Sequence, residues 1–145
     1  MSDKTMKLVE DTINKDEILN ILSEEYEVLP LLEYNEFDVL EKLAKNPYYF
    51  EQFRLVYLSN LGKYERVDLM LEEHIAKLYT ELKEGELSLS KTEIEKYYIP
   101  KDEKVMKLRR ILVQQKIRLG FFESVYKAFQ TQGWQMKQFI NKMGD

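Results

Sequence analysis

Between residues 102 and 142, apolar side chains recur at alternating steps of three and four: Val105, Leu108, Leu112, Leu119, Phe122, Tyr126 and Phe129, with Gln115 the one interruption. That spacing predicts a long helix packed along a seam. A second row, Val113, Ile117, Phe121 and Val125, runs at steps of four on another face, so this helix is expected to be buried on two sides. Upstream, Phe50, Phe53, Tyr57 and Leu61, and then Tyr64, Val67, Leu71, Ile75, Leu78 and Leu82, predict one long helix or two end-to-end helices over 47–84. Asn46-Pro47 reads as its start, with Asn as cap and Pro at the first helical position. Gly62 reads as a kink or an end, and Gly85 as a C-terminal cap. The fold expected is mainly α, a bundle of long helices with a short non-helical connection.

The flanking stretches carry weaker patterns. Residues 1–15 are polar and read as a mobile tail. Asp16 caps a short helix over Glu17 to Tyr26, with Ile18, Ile21 and Leu22 on one face, and Pro30 breaks the pattern. In the connection 86–101, Leu87 and Leu89 alternate with Ser88 and Ser90 as in a short extended piece, and Thr92 to Glu95 has capping-box spacing. Pro100 closes that stretch and Asp102 caps the long helix. Gly133 interrupts or ends it, with Trp134, Phe139 and Ile140 as a last apolar turn. The chain is thus expected to comprise an acidic, partly mobile N-terminal arm, 1–33, and a helical core, 34–145, that ends in an oligomerisation helix. Residues Leu112, Val113, Ile117, Phe121, Phe122, Val125 and Phe129 are the expected contacts between subunits. Gly120 is expected to admit a second helix closely, and Gln115 to fix register through paired amides.

Composition narrows the function classes. A chain of 145 residues, 44% hydrophobic, fits one domain with a real core, and only 5 Gly and 3 Pro leave few turns. With no Cys there is no disulfide framework, zinc-thiolate site or cysteine nucleophile. No apolar run approaches the roughly 18 residues of a membrane span, and MSDKTMKLVEDT lacks a signal core, so no membrane association and a cytoplasmic location are expected. There is no Gly-rich phosphate loop, nucleophile elbow or metal-ligand cluster, and the single His74 reads as a boundary residue. The chain does not read as an enzyme, and no cofactor is expected.

Charge is distributed unevenly. Residues 1–50 carry 5 basic and 12 acidic side chains, and residues 101–145 carry 10 and 4. Between Glu24 and Glu41 there are seven acidic residues and no basic one, interleaved with Tyr26, Leu29, Leu31, Leu32, Tyr34 and Phe37. Such a segment suits docking on a basic, partly apolar partner, and equally a solvated amphipathic arm packed on its own domain. Lys101, Lys104, Lys107 and Arg110 recur every three residues, with Arg109 beside them. Cations near a helix N-terminus oppose its macrodipole by about 0.3–1 kcal/mol each, so a role outside folding is indicated, and phosphate binding is the natural one. Tyr97 and Tyr98 lie close in sequence and suit base stacking. Composition alone also permits a plain solvated face. The stripe nominates Lys101, Lys104, Lys107, Arg109 and Arg110 for DNA binding, and Lys77 and Lys83 join the candidate set through the family resemblance that follows.

The stretch from Leu87 to Ile140 resembles UvsY, the recombination mediator family of T-even-type phages. The likeness lies in the order of features over roughly 47–142: a helix ending before Gly85, a connection through Tyr97-Tyr98-Ile99 to Asp102-Glu103, and a long helix closed by Gly133-Trp134-Gln135-Met136-Lys137 and Phe139-Ile140. Gln132 stands where the family often has Arg, and Ile75-Ala76-Lys77 keeps only one of two basic residues usual in the middle helix. The resemblance implies a non-enzymatic, ring-shaped homo-oligomer acting in DNA recombination, repair and replication. Its implied partners are single-stranded DNA, a RecA-like recombinase, the single-strand-binding protein and copies of itself. The other function in view is a helical adaptor that acts only through protein–protein contacts.

Overall fold

A computed structural model describes residues 3–144, with side chains from Lys15 onward. The chain is mainly helical, with no strand among the described residues. In order come α1 (Asp3–Tyr26), α2 (Val28–Leu32), α3 (Val39–Glu84), α4 (Lys91–Glu93), a π-helical turn (Ile94–Tyr98), a 3-10 turn (Ile99–Lys101) and α5 (Glu103–Gly144). Contacts divide the chain into two compact units, each built from two distant stretches. Unit 1 is Met1–Asp16 with Gly62–Lys116, and unit 2 is Glu17–Leu61 with Ile117–Asp145.

Several expected boundaries move. Helix α1 begins at Asp3, so Asp16 lies inside a helix and not at its start. Helix α3 begins at Val39 and carries Pro47 within it. Its start is set by Asn35, whose Oδ1 accepts from Phe37 N–H (2.8 Å) and Asp38 N–H (3.1 Å), while Asp38 Oδ1 accepts from Asn35 N–H (2.7 Å). That reciprocal cap satisfies donors that would otherwise be orphaned, and Asn46-Pro47 has no such duty. Neither Gly62 nor Gly133 interrupts its helix. Helix α3 does stop at Glu84, immediately before Gly85, but positive φ falls on Ser88 (φ 50°) and not on that glycine.

Unit 2 has an aromatic core of Leu22, Phe53, Phe122, Val125 and Phe129, with Tyr26, Tyr49, Phe50, Tyr57, Phe121 and Tyr126 packed against it. Phe129 stacks on Phe53 (centroids 5.5 Å, planes 12° apart) and on Tyr49 (5.6 Å), and Tyr26 meets Phe122 edge-on at 5.1 Å. Such pairs add about 0.5–1.5 kcal/mol each beyond the area they bury. The partners run in opposite directions, Tyr57 to Tyr126 and Asn46 to Gln132, so α3 and α5 are antiparallel here. Leu22 is 1% exposed, and Val28, Leu31 and Leu32 pack on the same core. Of the expected arm, 1–33, the stretch 17–33 is thus packed on its own core, the second of the two readings the sequence left open. Leu22, Val28, Leu31 and Leu32 face that core, while Ile21, Leu29, Glu24, Glu25, Glu27 and Glu33 are exposed. The reversal between α1 and α2 is made at Glu27, in the left-handed region (φ 43°, ψ 52°).

A buried amide network ties unit 2 together. Asn46 Nδ2 donates to Phe129 O (2.7 Å) and Gln132 Oε1 (2.9 Å), and Gln132 Nε2 donates to Leu31 O (3.1 Å) and Leu32 O (2.8 Å). Lys42 Nζ donates to Pro30 O (2.6 Å) and Glu33 O (2.5 Å), which covers more of the α2 carbonyls. Gly133 is needed for this: a Cβ there would stand 2.8 Å from Asn46 Oδ1. At Gly120 a Cβ would meet nothing within 4 Å. Within the chain, the close approach at a glycine is made at Gly133, by an amide of α3.

Unit 1 has a core of buried aliphatic residues, Leu71, Leu89, Ile94, Ile99, Val105 and Leu108, with Val67, Ile75, Leu78, Tyr79, Leu82 and Leu112 against it. The connection is helical from Lys91; before it Ser88 is left-handed (φ 50°) and Ser90 extended (φ -77°, ψ 160°), with no strand formed. Its cap is Ser90, not Thr92: Ser90 Oγ accepts from Glu93 N–H (3.2 Å) and donates to Glu93 Oε1 (3.0 Å). The π turn follows from two isoleucines five apart. An α-helix would set Ile94 and Ile99 about 140° apart at about 100° per residue. The wider turn, with Ile99 N–H bonded to Ile94 O, lets both reach the core at 0% and 4% exposure.

Candidate nucleic-acid interface

All seven sequence-nominated cations are exposed and all lie in unit 1. They are not equivalent. Lys83 Nζ donates to Leu89 O at 3.3 Å, so it holds the end of the connection. Lys77, Lys101, Lys104, Lys107 and Arg109 have no ion-pair partner among the residues with described side chains, whereas Arg110 is engaged within the chain. On α5 the core face is marked by Val105 and Leu108. Lys104, Lys107 and Arg110 step round the remainder of the helix, and Arg109 falls on the far flank, about 140° from Lys104 at about 100° per residue. A strand tracking Lys104 and Lys107 therefore does not also meet Arg109 on the same helix face.

Asp102 caps α5 as expected, its Oδ2 accepting from Val105 N–H at 3.0 Å. The same oxygen lies 2.8 Å from His74 Nε2, whose N–H donates to the carboxylate. That His74 hydrogen bond is the main reason the Asp102 carboxyl sits below its ordinary range; burial opposes it and the Val105 amide assists. The His74–Asp102 pair joins α3 to the start of α5 across 28 residues of sequence. No local motif signals it, because the two residues meet only through the fold.

Beside this pair lies a cleft of about 490 Å³ lined by Leu78, Leu82, Tyr97, Tyr98, Lys101 and Asp102. Tyr97 is 58% exposed and Tyr98 39%, large fractions for aromatic rings next to a core. Adjacent in sequence, both are carried by the π turn whose isoleucines point the other way. The cleft unites two tyrosines noted from sequence with one of the nominated lysines. Leu78 and Leu82, which also line it, were read only as helical stripe.

The residues expected between subunits fare differently. Phe122, Val125 and Phe129 are 1%, 6% and 0% exposed within one chain, so they are core of unit 2 and not free to meet another copy. Phe121 packs on Tyr26 and Phe122 at 6.4 and 5.3 Å. As contacts between subunits, Phe122 and Phe129 of the first row and Val125 of the second fail because the chain itself buries them, whereas Phe121 is half-buried and lines a groove. Leu112 leans on the unit 1 core, and Val113 and Ile117 are half-buried. Gln115 Oε1 is buried and has no hydrogen-bond partner among the described residues.

Unit 2 has its own groove, about 500 Å³, lined by Val28, Leu29, Pro30, Phe121, Val125 and Ala128 among others, with Glu27 at its edge. No cluster of His, Cys, Asp or Glu among the described residues is placed to hold a metal ion, and no helix there is long and apolar enough to cross a membrane. Set against protein families, curated proteins and solved structures, the chain matches none of them.

Proposed function

We propose that this protein is a recombination mediator of the UvsY kind. It binds single-stranded DNA through unit 1 and loads a RecA-like recombinase onto strands covered by single-strand-binding protein, as a ring-shaped homo-oligomer. The single observation that carries the reading is the clustering of unpaired cations with exposed tyrosines. Lys101, Lys104 and Lys107 stand at and just after the start of α5, against its macrodipole, and Lys101 shares a cleft with Tyr97 and Tyr98. Cations so placed gain little for folding and suit phosphate oxygens. Exposed apolar side chains such as Leu55 (49%), Leu58 (43%) and Leu69 (54%) support self-association, because singly exposed leucines are ordinary but so many on one helix are less so.

The test is a salt titration of binding to oligothymidylate. Replacing Lys104 and Lys107 by Ala is expected to weaken binding and flatten the slope of log affinity against log salt by about 1.4, at about 0.7 per phosphate contact. An unchanged affinity and slope would reduce the stripe to a solvated face. The second reading, an adaptor that binds only proteins, is favoured by the apolar groove of unit 2 with its acidic edge. It predicts no salt-dependent strand binding at all.

A further inference from the structure

The cleft of unit 1 has a chemistry that the cations alone do not explain. Phosphate binding needs positive charge and no apolar floor. Here Leu78 and Leu82, one turn apart on α3, line the cleft together with Tyr97 and Tyr98, so apolar and aromatic side chains make up most of its lining. The volume, about 490 Å³, falls within the range of about 300–1,000 Å³ usual for small-ligand clefts. Keeping two tyrosines 58% and 39% exposed forfeits burial that the neighbouring isoleucines achieve fully. The π turn produces this division, since it directs Ile94 and Ile99 inward and leaves the intervening tyrosines outside; such turns recur at functional sites. At the mouth, Asp102 Oδ2 is committed to Val105 N–H and His74, so the charge free to meet a ligand there is that of Lys101. The cleft therefore offers a flat apolar and aromatic slot with one cation at its rim. The ligand that fits is planar, aromatic and joined to an anion.

Resting on the reading of unit 1 as a strand-binding surface, we infer that this cleft takes one unpaired nucleobase of the bound strand. The base lies against Tyr97 and Tyr98 over Leu78 and Leu82, and Lys101 meets an adjoining phosphate. Lys104 and, about 4.5 Å further along the α5 axis, Lys107 carry the backbone onward. A base held in a duplex presents no free face to such a slot, so the cleft confers the preference for single strands. Stacking accepts any base, so little sequence preference follows.

The experiment measures fluorescence anisotropy of the full chain with three ligands of matched nucleotide concentration: oligothymidylate, an abasic oligomer of equal length, and thymidine monophosphate as competitor. The wild type is expected to bind oligothymidylate at least about fivefold more tightly than the abasic strand, because stacking on an aromatic side chain contributes at least about that much per base. Tyr97→Ala with Tyr98→Ala should remove that difference and leave both the abasic affinity and the salt slope unchanged. Tyr97→Phe with Tyr98→Phe should restore it, which separates stacking from any effect on folding. Equal wild-type affinity for the two strands, or a Tyr-to-Ala variant that keeps the difference, overturns the base slot while leaving the strand-binding surface intact. Displacement of the strand by the mononucleotide overturns a slot that acts within a strand and points to free nucleotides. If the wild type binds neither strand, the strand-binding reading falls and the slot with it.

Discussion

The two units use the same long helices and build opposite kinds of interior. Unit 2 interlocks rings, Phe53, Phe129, Tyr49, Tyr26 and Phe122, and threads a buried amide network through Asn46 and Gln132. Unit 1 packs aliphatic side chains and relies on caps at Ser90 and Asp102. Ring contacts and satisfied buried amides are geometrically demanding, so unit 2 has little freedom to repack. Aliphatic packing is more tolerant, and unit 1 packs Tyr79 against its core while Tyr97, Tyr98 and its cations stay outside. Exposed rings occur in both units, Phe37, Tyr48 and Trp134 in unit 2 and Tyr97 and Tyr98 in unit 1, and those of unit 1 share a cleft with Lys101. On the strand-binding proposal, unit 2 is scaffold and unit 1 is surface.

The largest expected effect is in the scaffold. Phe129→Ala, at 0% exposure between two stacked partners, should lower unfolding free energy by about 3–5 kcal/mol in a urea titration. A loss below about 1 kcal/mol would mean the ring stack is loose and the contrast between the units is misplaced. A pair of glycine changes sharpens the point. Gly133→Ala forces a Cβ to 2.8 Å from Asn46 Oδ1, and Asn46 cannot swing aside without giving up its bonds to Phe129 and Gln132. It should destabilise by about 1–3 kcal/mol, even after the helix-propensity gain of about 1 kcal/mol. Gly120→Ala meets open space and should stabilise by up to about 1 kcal/mol. Thermal melts of the two variants should move in opposite directions; if both fall, Gly120 has a neighbour in an assembly of chains.

The smallest effect is a pH dependence in unit 1. Asp102 has its folded-state pKa lowered, chiefly by the His74 hydrogen bond, so the native state holds fewer protons on this group than the unfolded chain. Its contribution is complete above the unfolded value of about 3.9 and is lost as pH falls through the lower folded value. Stability of the wild type should therefore drop more steeply than that of Asp102→Asn in acid below about pH 4. Asn keeps the capping oxygen, so a matched pair of acid titrations isolates the charge. Identical curves would show that the His74 contact carries no linkage.

Much of this fold was legible because periodicity is local. The seam of α5, from Val105 through Phe129, is set by steps of three and four that any helix must obey, and both cores use it. The caps were harder. Ser90 and Thr92 both have Glu three residues on, and only the packing of Leu89 and Ile94 selects Ser90. Asn46 has the residue type of a cap, but its amide is drawn into a network whose partners lie 83 and 86 residues away. The acidic density of 24–41 left a partner-docking arm and a packed one equally open, because charge hides the buried stripe of Leu22, Val28, Leu31 and Leu32. The second apolar row of α5 suggested a neighbouring subunit, and for Phe121 and Val125 part of the cover comes from that very segment. Of the candidate site, the residue types were visible, while the cleft was not: it needs Leu78 and Leu82 opposite Tyr97 and Tyr98, and a π turn leaves no simple periodic mark.

The division into scaffold and surface is tested most directly by hydrogen exchange of the full chain, read by mass spectrometry peptide by peptide, with and without a saturating oligothymidylate. Added protection is predicted in peptides covering residues 91–110, and at most marginal change in those covering 46–57 and 121–136. Protection confined to the latter peptides, or none anywhere while the strand is bound, would contradict the assignment of strand binding to unit 1.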